Sequence, residues 1–138
     1  MKKLNSILLV EDDDTVNFYN EFLLMQLEVT ESIVIRENGE EALKYLESCA
    51  NESAEEQFPD LIFLDINMPI MNGFEFLEAY ENKPFHGQAG PLIIMLTTSL
   101  HPNDLNRANS FDSISEYVYK PLTPDKVTGI LNKHFQIA

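Results

Sequence analysis

Short runs of uninterrupted apolar residues, each closed by a polar cluster, constrain this chain more than any other feature. Ser6-Ile7-Leu8-Leu9-Val10 runs into acids, Leu61-Ile62-Phe63-Leu64 stops at Asp65, and Leu92-Ile93-Ile94-Met95-Leu96 stops at Thr97. A strand with one wet face alternates apolar and polar side chains. A run that is apolar at every position is buried on both faces, as in a parallel sheet with helices on either side. Ser32-Ile33-Val34-Ile35-Arg36 and residues 115–119 read as two further strands.

Between these runs the apolar spacing changes to that of a helix. Residues 14–27 place Val16, Tyr19, Leu23 and Leu27 inward, with Asp14 positioned as the cap. After the Asn38-Gly39 break, residues 40–48 turn Ala42, Leu43 and Leu46 inward. Residues 73–80 do the same with Phe74, Leu77 and Tyr80, and residues 102–109 form a short, weak helix. Residues 124–135 close the chain with Val127, Ile130, Leu131 and Phe135 on one stripe, although Gly129 weakens that helix by ~1 kcal/mol. The acidic stretch 49–58 reads as a helix end and exposed loop, and residues 83–90 as a loop. Strand and helix alternate five times. That pattern implies an α/β fold with a parallel sheet, whose ligand site lies beyond the carboxyl ends of the strands.

The 138 residues suit a single domain, 1–138 with its core at about 4–135, and no linker or output domain is apparent. No window holds the ~20 apolar residues that span a bilayer, and the apolar run after Lys3 is too short for a signal peptide, so a cytoplasmic protein is expected. The single cysteine, Cys49, forms no internal disulfide and reads as half-buried packing. Net charge is −14, from 23 acids and 9 bases, which argues against direct contact with nucleic acid or an anionic membrane. His86, His101 and His134 match no zinc spacing, and Met68 and Met71 read as packing residues.

The residues that follow the strands carry the chemistry. Glu11-Asp12-Asp13-Asp14 follows the first, Asp65-Ile66-Asn67-Met68-Pro69 the third, Thr97-Thr98-Ser99 the fourth and Lys120-Pro121 the fifth. The fold would bring carboxylates, hydroxyls and a lysine to one sheet edge. Crowded carboxylates repel one another unless a cation neutralises them, and an all-oxygen donor set suits Mg²⁺. A carboxylate can also attack phosphorus to form an acyl phosphate, with a lysine and a hydroxyl stabilising the transferring group. Taken singly, each of these residues also reads as an ordinary turn, cap or surface position. Their joint order and spacing give the set its meaning.

Four segments together resemble the receiver domain of two-component response regulators. They are Ile7-Leu8-Leu9-Val10-Glu11-Asp12-Asp13, Asp65-Ile66-Asn67-Met68-Pro69-Ile70-Met71-Asn72-Gly73, Met95-Leu96-Thr97 and Tyr117-Val118-Tyr119-Lys120-Pro121. The resemblance runs from about residue 4 to about residue 135. It implies a flavodoxin-like doubly wound (βα)5 fold with strand order 2-1-3-4-5. It implies Asp65 as the phosphoacceptor. Glu11 and Asp12 become the acid pair that positions Mg²⁺, with Asp12 the direct ligand of the two, and Asn67 offers its backbone carbonyl. Thr97 becomes the switch hydroxyl, Lys120 the phosphoryl-contacting lysine and Tyr117 the switch aromatic. Asp13 and Asp14 also follow the first strand, and the family frame makes the former a neighbour and the latter a cap.

The resemblance further implies a sensor histidine kinase or histidine phosphotransfer protein as donor, an unidentified downstream protein as target, and a monomer or weak homodimer. Its members are phosphoacceptors and not turnover enzymes. Thr98 stands where a smaller residue is usual, and Ser110-Phe111-Asp112-Ser113-Ile114-Ser115 lacks the usual glycine-alanine turn. Two rival readings are a phosphorylation-independent binding module and an aspartate-nucleophile phosphatase. The first predicts loss of a site residue, and none is lost. The second needs an acid two residues after the nucleophile, where Asn67 stands.

Overall fold

A computed structural model describes residues 3–51, 58–83 and 90–136. Within them run β1 (Leu4–Val10), α1 (Asp14–Gln26), β2 (Thr30–Arg36), α2 (Gly39–Asn51), β3 (Leu61–Leu64), α3 (Gly73–Glu81), β4 (Leu92–Thr97), α4 (Pro102–Asn109), β5 (Ile114–Tyr119) and α5 (Pro124–Phe135). All strand pairs are parallel, in the order β2-β1-β3-β4-β5. This is the flavodoxin-like order that the family resemblance implied.

Side chains alternate across a strand, so a strand apolar throughout feeds two cores. Leu8, Val10, Ile62, Leu64, Ile93 and Met95 face the core shared with α2 and α3, built around Ala42, Leu46, Phe74 and Leu77. Ile7, Leu9, Leu61, Phe63, Ile94 and Leu96 face the core shared with α1 and α5, built around Leu24, Val127, Ile130 and Leu131. The pairing register aligns Val10 with Leu64, Leu64 with Met95 and Met95 with Tyr117. The ends of β1, β3, β4 and β5 therefore open on one edge.

The helix α1 departs most from expectation. Its cap is Asp13, not Asp14: Asp13 has extended backbone angles, and its Oδ1 accepts from the Thr15 and Val16 amides at 2.9 and 3.3 Å. Asp14 is instead the first helical residue, where its charge suits the positive end of the helix dipole. The buried face holds Asn17, Asn20 and Leu24, flanked by half-buried Val16, Leu23 and Leu27. Tyr19 stays exposed and uses its hydroxyl to donate to the Leu122 carbonyl at 2.8 Å. Phe18, Phe22 and Met25 are exposed as well, so α1 carries apolar residues on its outer side.

Other differences are smaller. Cys49 is buried rather than half-buried, within an α2 that continues to Asn51. Of the acidic stretch 49–58, residues 52–57 lie outside the described residues, and Phe58 packs against the α2–α3 core. Residues 84–89 of the second expected loop also lie outside them. The 110–115 segment replaces the expected turn with packing and side-chain bonds. Phe111 stacks on Phe74 at 6.1 Å, and the Ser113 amide and hydroxyl both donate to Glu81.

Candidate phosphoacceptor site

Asp65 is the first residue beyond β3. Its amide donates to the Val10 carbonyl at 3.0 Å, which fixes it beside the end of β1. Glu11 is likewise held by its amide, which donates to the Arg36 carbonyl at 3.0 Å. The carboxylates of Glu11, Asp12 and Asp65 offer oxygens that all lie within 4.8 Å of one another. Glu11 and Asp65 are buried and Asp12 is exposed, so the cluster opens outward through Asp12.

Lys120 enters this cluster from the end of β5. Its ammonium pairs with Glu11 Oε1 and lies 3.5 Å from Asp65 Oδ1. The Lys120 amide donates to the Thr97 carbonyl at 2.9 Å, and the Lys120–Pro121 peptide is cis. The other Glu11 oxygen, Oε2, accepts from the Asp13 amide at 3.1 Å. Both Glu11 oxygens are thus engaged within the chain, whereas Asp12 faces solvent. The sequence gathers Glu11 and Lys120 at one edge but does not announce that they pair directly, across 109 positions.

Burial is the main force on the two buried acids. It pushes the Glu11 carboxyl above its ordinary value, against the pull of the Lys120 hydrogen bond, and the nearby Asp65 charge adds to the rise. Burial raises Asp65 too, with the Lys120 charge opposing it. For Lys120 burial alone would lower the ammonium, but the hydrogen bond to Glu11 and the charges of Asp65 and Glu11 outweigh it and hold it above the ordinary lysine value. The site therefore holds more negative charge than its one lysine neutralises. Its donors are hard oxygens, which fit Mg²⁺.

The remaining expected residues stand around this centre. Thr97 is buried at the end of β4, and its Oγ1 accepts from the Ser99 amide at 3.1 Å. Tyr117 is half-buried on β5, and its hydroxyl donates to the Ser99 carbonyl at 3.1 Å. Burial raises the Tyr117 phenol above its ordinary value. Ser99 Oγ in turn donates to Asp104 at 2.6 Å, and the imidazole of His101 caps α4 by accepting from the Asn103 amide. Asn67 lies exposed two residues past Asp65. Its loop is pinned behind it by the Gly73 amide, which donates to the Ile66 carbonyl at 2.8 Å. A Cβ on Gly73 would fall 2.3 Å from the Asp65 carbonyl oxygen, so only glycine lets α3 start this close to the site.

With this geometry, resemblance to known proteins acquires a structural basis. Residues 7–132 match the family model of the response regulator receiver domain. The chain belongs to that family. It is a two-component response regulator receiver, similar to a two-component response regulator from Cytophaga hutchinsonii with 30% identity, a TM-score of 0.85 and coverage of 99% of this chain and 100% of that one. The phosphorylated cyanobacterial phytochrome response regulator RcpA is similar at 27% identity and TM-score 0.77, over 97% and 96% of the two chains. The nitrate/nitrite response regulator NarL of Escherichia coli is 32% identical over 96 residues, 70% of this chain and 38% of NarL. The phosphodiesterase regA of Dictyostelium discoideum is 27% identical over 133 residues, 94% of this chain but 16% of that protein. The chain thus spans well under half the length of these two curated relatives.

Receiver domains bind Mg²⁺ at an acidic pocket and interact with histidine kinases or phosphotransfer proteins, and the family is generally not one of catalytic enzymes. Among the described residues, no helix is long and apolar enough to cross a membrane.

Proposed function

We propose that Asp65 accepts a phosphoryl group from a phosphohistidine donor and that the resulting charge is read by a protein partner. The convergence of Glu11, Asp12 and Asp65 within 4.8 Å, with the Lys120 ammonium among them, carries this reading. An Asp65 carboxylate oxygen forms the new bond to phosphorus while the phosphorus–nitrogen bond of the donor breaks and its electron pair leaves on the imidazole. Lys120 pairs with the charge on the transferring oxygens. Asp12, Asp65 and the Asn67 carbonyl would hold Mg²⁺, with Glu11 behind them, and the ion would neutralise charge on the phosphoryl oxygens. The Thr97 hydroxyl would turn from the Ser99 amide toward the phosphoryl group, and Tyr117 would leave the Ser99 carbonyl for the space behind it. The phosphorylated state of the similar RcpA supports this reading.

The donor must reach Asp65 from outside, and α1 offers a surface beside it. A groove of about 580 Å³ lies between Thr15, Val16 and Tyr19 of α1 and Thr98, Lys120 and Leu122. Phe18, Phe22 and Met25 extend its apolar character along the helix. We assign this face to the kinase or phosphotransfer protein. A cytoplasmic place and a monomer or weak homodimer belong to the same reading.

The test is incubation with acetyl phosphate and Mg²⁺, read by intact mass. Wild type should gain one labile phosphoryl adduct, and Asp65→Asn should gain none. Equal labelling of the two, or no labelling of either, would sink the reading.

A further inference from the structure

We propose that Asn17, on the buried face of α1, is a positioning residue for the cation site: its side-chain amide fixes the Glu11–Asp12 peptide and thereby aims the Asp12 carboxylate. The inference rests on the reading that Asp12 and Asp65 hold Mg²⁺.

The Glu11 residue is where β1 gives way to the loop that leads into α1. Its amide is the last of the strand to reach β2, through the Arg36 carbonyl. Its carbonyl has left the sheet, and the Asn17 Nδ2 donates to it at 2.9 Å. With both ends of residue 11 tied, the peptide plane between Glu11 and Asp12 has one orientation. The Glu11 carboxylate is separately held on both oxygens, by Lys120 and by the Asp13 amide. The Asp12 side chain has no such burial. It is exposed, so its direction toward the cluster depends on the backbone that carries it.

The second observation is the other atom of the same amide. Asn17 is 4% exposed, and its Oδ1 is a buried acceptor without a hydrogen-bond partner among the described residues. Such an atom works against stability. Asn17 shares its helix face with fully buried Leu24, so an apolar side chain would suit the packing and remove the bare Oδ1, at the cost of the bond that holds the Glu11 carbonyl. An asparagine at this position is a poor answer to packing and a direct answer to holding the Glu11 carbonyl. Residues that orient a metal ligand from behind have this character, and their loss typically weakens metal binding ~10- to 100-fold.

The experiment uses the full chain with Asn17→Leu, Asn17→Ala and Leu24→Val. Mg²⁺ affinity is measured by calorimetry at neutral pH, melting temperature in EDTA, and amide exchange at Asp12 and Asp13 in the metal-free state. Asn17→Leu and Asn17→Ala should bind Mg²⁺ about tenfold more weakly. Their Asp12 and Asp13 amides should exchange faster, and labelling by acetyl phosphate should return toward wild type as Mg²⁺ is raised. Leu24→Val should melt lower yet bind Mg²⁺ as wild type does, which separates positioning from packing. Asn17 variants that bind Mg²⁺ as tightly as a wild type that labels would overturn this inference alone. A wild type that neither binds Mg²⁺ nor labels would remove the phosphoacceptor reading beneath it.

Discussion

The two sides of the site are held in different ways. On the side of β1 and β3, backbone meets backbone: Asp65 donates to Val10, Glu11 to Arg36, and Gly73 to Ile66, while Gly39 donates to Met71 at 2.9 Å. On the side of β4 and β5, side chains provide most of the restraint around Ser99, through Thr97, Tyr117 and Asp104. The central strands β1 and β3 end in wholly buried residues, whereas β5 is half-exposed along most of its length. A peptide ladder breaks only with the sheet, but a hydroxyl can exchange one acceptor for another by turning about a single bond. The first side is thus suited to holding acids at fixed separation, and the second to rearranging.

The hardest blow to that contrast is Gly73→Ala. The added Cβ would sit 2.3 Å from the Asp65 carbonyl oxygen and 3.1 Å from the Ile66 Cα, both main-chain atoms that have no flexible end to swing away. Either α3 moves off or Asp65 shifts. Unfolding in urea should show a loss of about 3 kcal/mol, the upper part of the range for overpacking, and acetyl phosphate labelling should fall with it. A variant within a few tenths of wild type in both would mean that the β3 side is not rigid.

The acid cluster gives the next effect. Burial raises both Glu11 and Asp65, so the folded protein binds protons more readily there than the unfolded chain. Stability from these groups is therefore lost as pH rises from the ordinary carboxylate value through the raised one, and the strain is fully present above the raised value. A bound divalent cation removes that strain and must displace protons at lower pH. Mg²⁺ at ten times its dissociation constant should stabilise the protein by about 1.4 kcal/mol at pH 7, and by less at pH 5 for the same added concentration. Melting curves with and without Mg²⁺ at the two pH values decide it; an equal gain at both would detach the raised acids from the cation site.

How far the sequence announced this arrangement differs between the same two sides. The alternation of strand and helix, the bounds of α4 and α5, and the gathering of Glu11, Asp12, Asp65 and Lys120 were legible, because a wholly apolar run has few ways to be buried and strand-end residues follow from a parallel sheet, while the order of the strands came from the family resemblance. The inward face of α1 was not. Its buried positions include two amides, Asn17 and Asn20, while Phe18, Phe22 and Met25 stay outside, so apolar periodicity pointed partly the wrong way. The inward set 17, 20 and 24 does recur at helical spacing, which is the signal that could have exposed it. The cap was misassigned by one residue because four consecutive acids offer several candidates, and only backbone angles choose among them. The bonds around Ser99 join residues whose types predict no partner.

Tyr117→Phe tests the softer side. It removes the hydroxyl that donates to the Ser99 carbonyl and keeps the ring, including its edge contact with Tyr119 at 5.5 Å. Stability should fall by about 1 kcal/mol, the net worth of an ordinary hydrogen bond. Amide exchange should quicken at Ser99 and at the start of α4, with Asp65 and Glu11 unchanged. Faster exchange at Asp65 as well would show that the two sides are one mechanical unit.

The smallest expected effect concerns strain inside the pinned side. Ile70 has φ of 68° in the loop between Asp65 and α3, and the Met71 amide donates back to the Pro69 carbonyl at 2.7 Å across it. A β-branched residue resists this left-handed backbone, and Ile70 gains little packing in return because it is 75% exposed. Asparagine removes the branch at Cβ and, unlike glycine, does not greatly enlarge the freedom of the unfolded chain. Ile70→Asn should therefore raise stability by about 0.5–1 kcal/mol in urea, with Ile70→Gly gaining less because relief of strain is offset by unfolded-state entropy. If both variants instead lose stability, the exposed Ile70 side chain contributes a contact that outweighs its strained backbone, and the loop is held by packing as well as by its main-chain bonds.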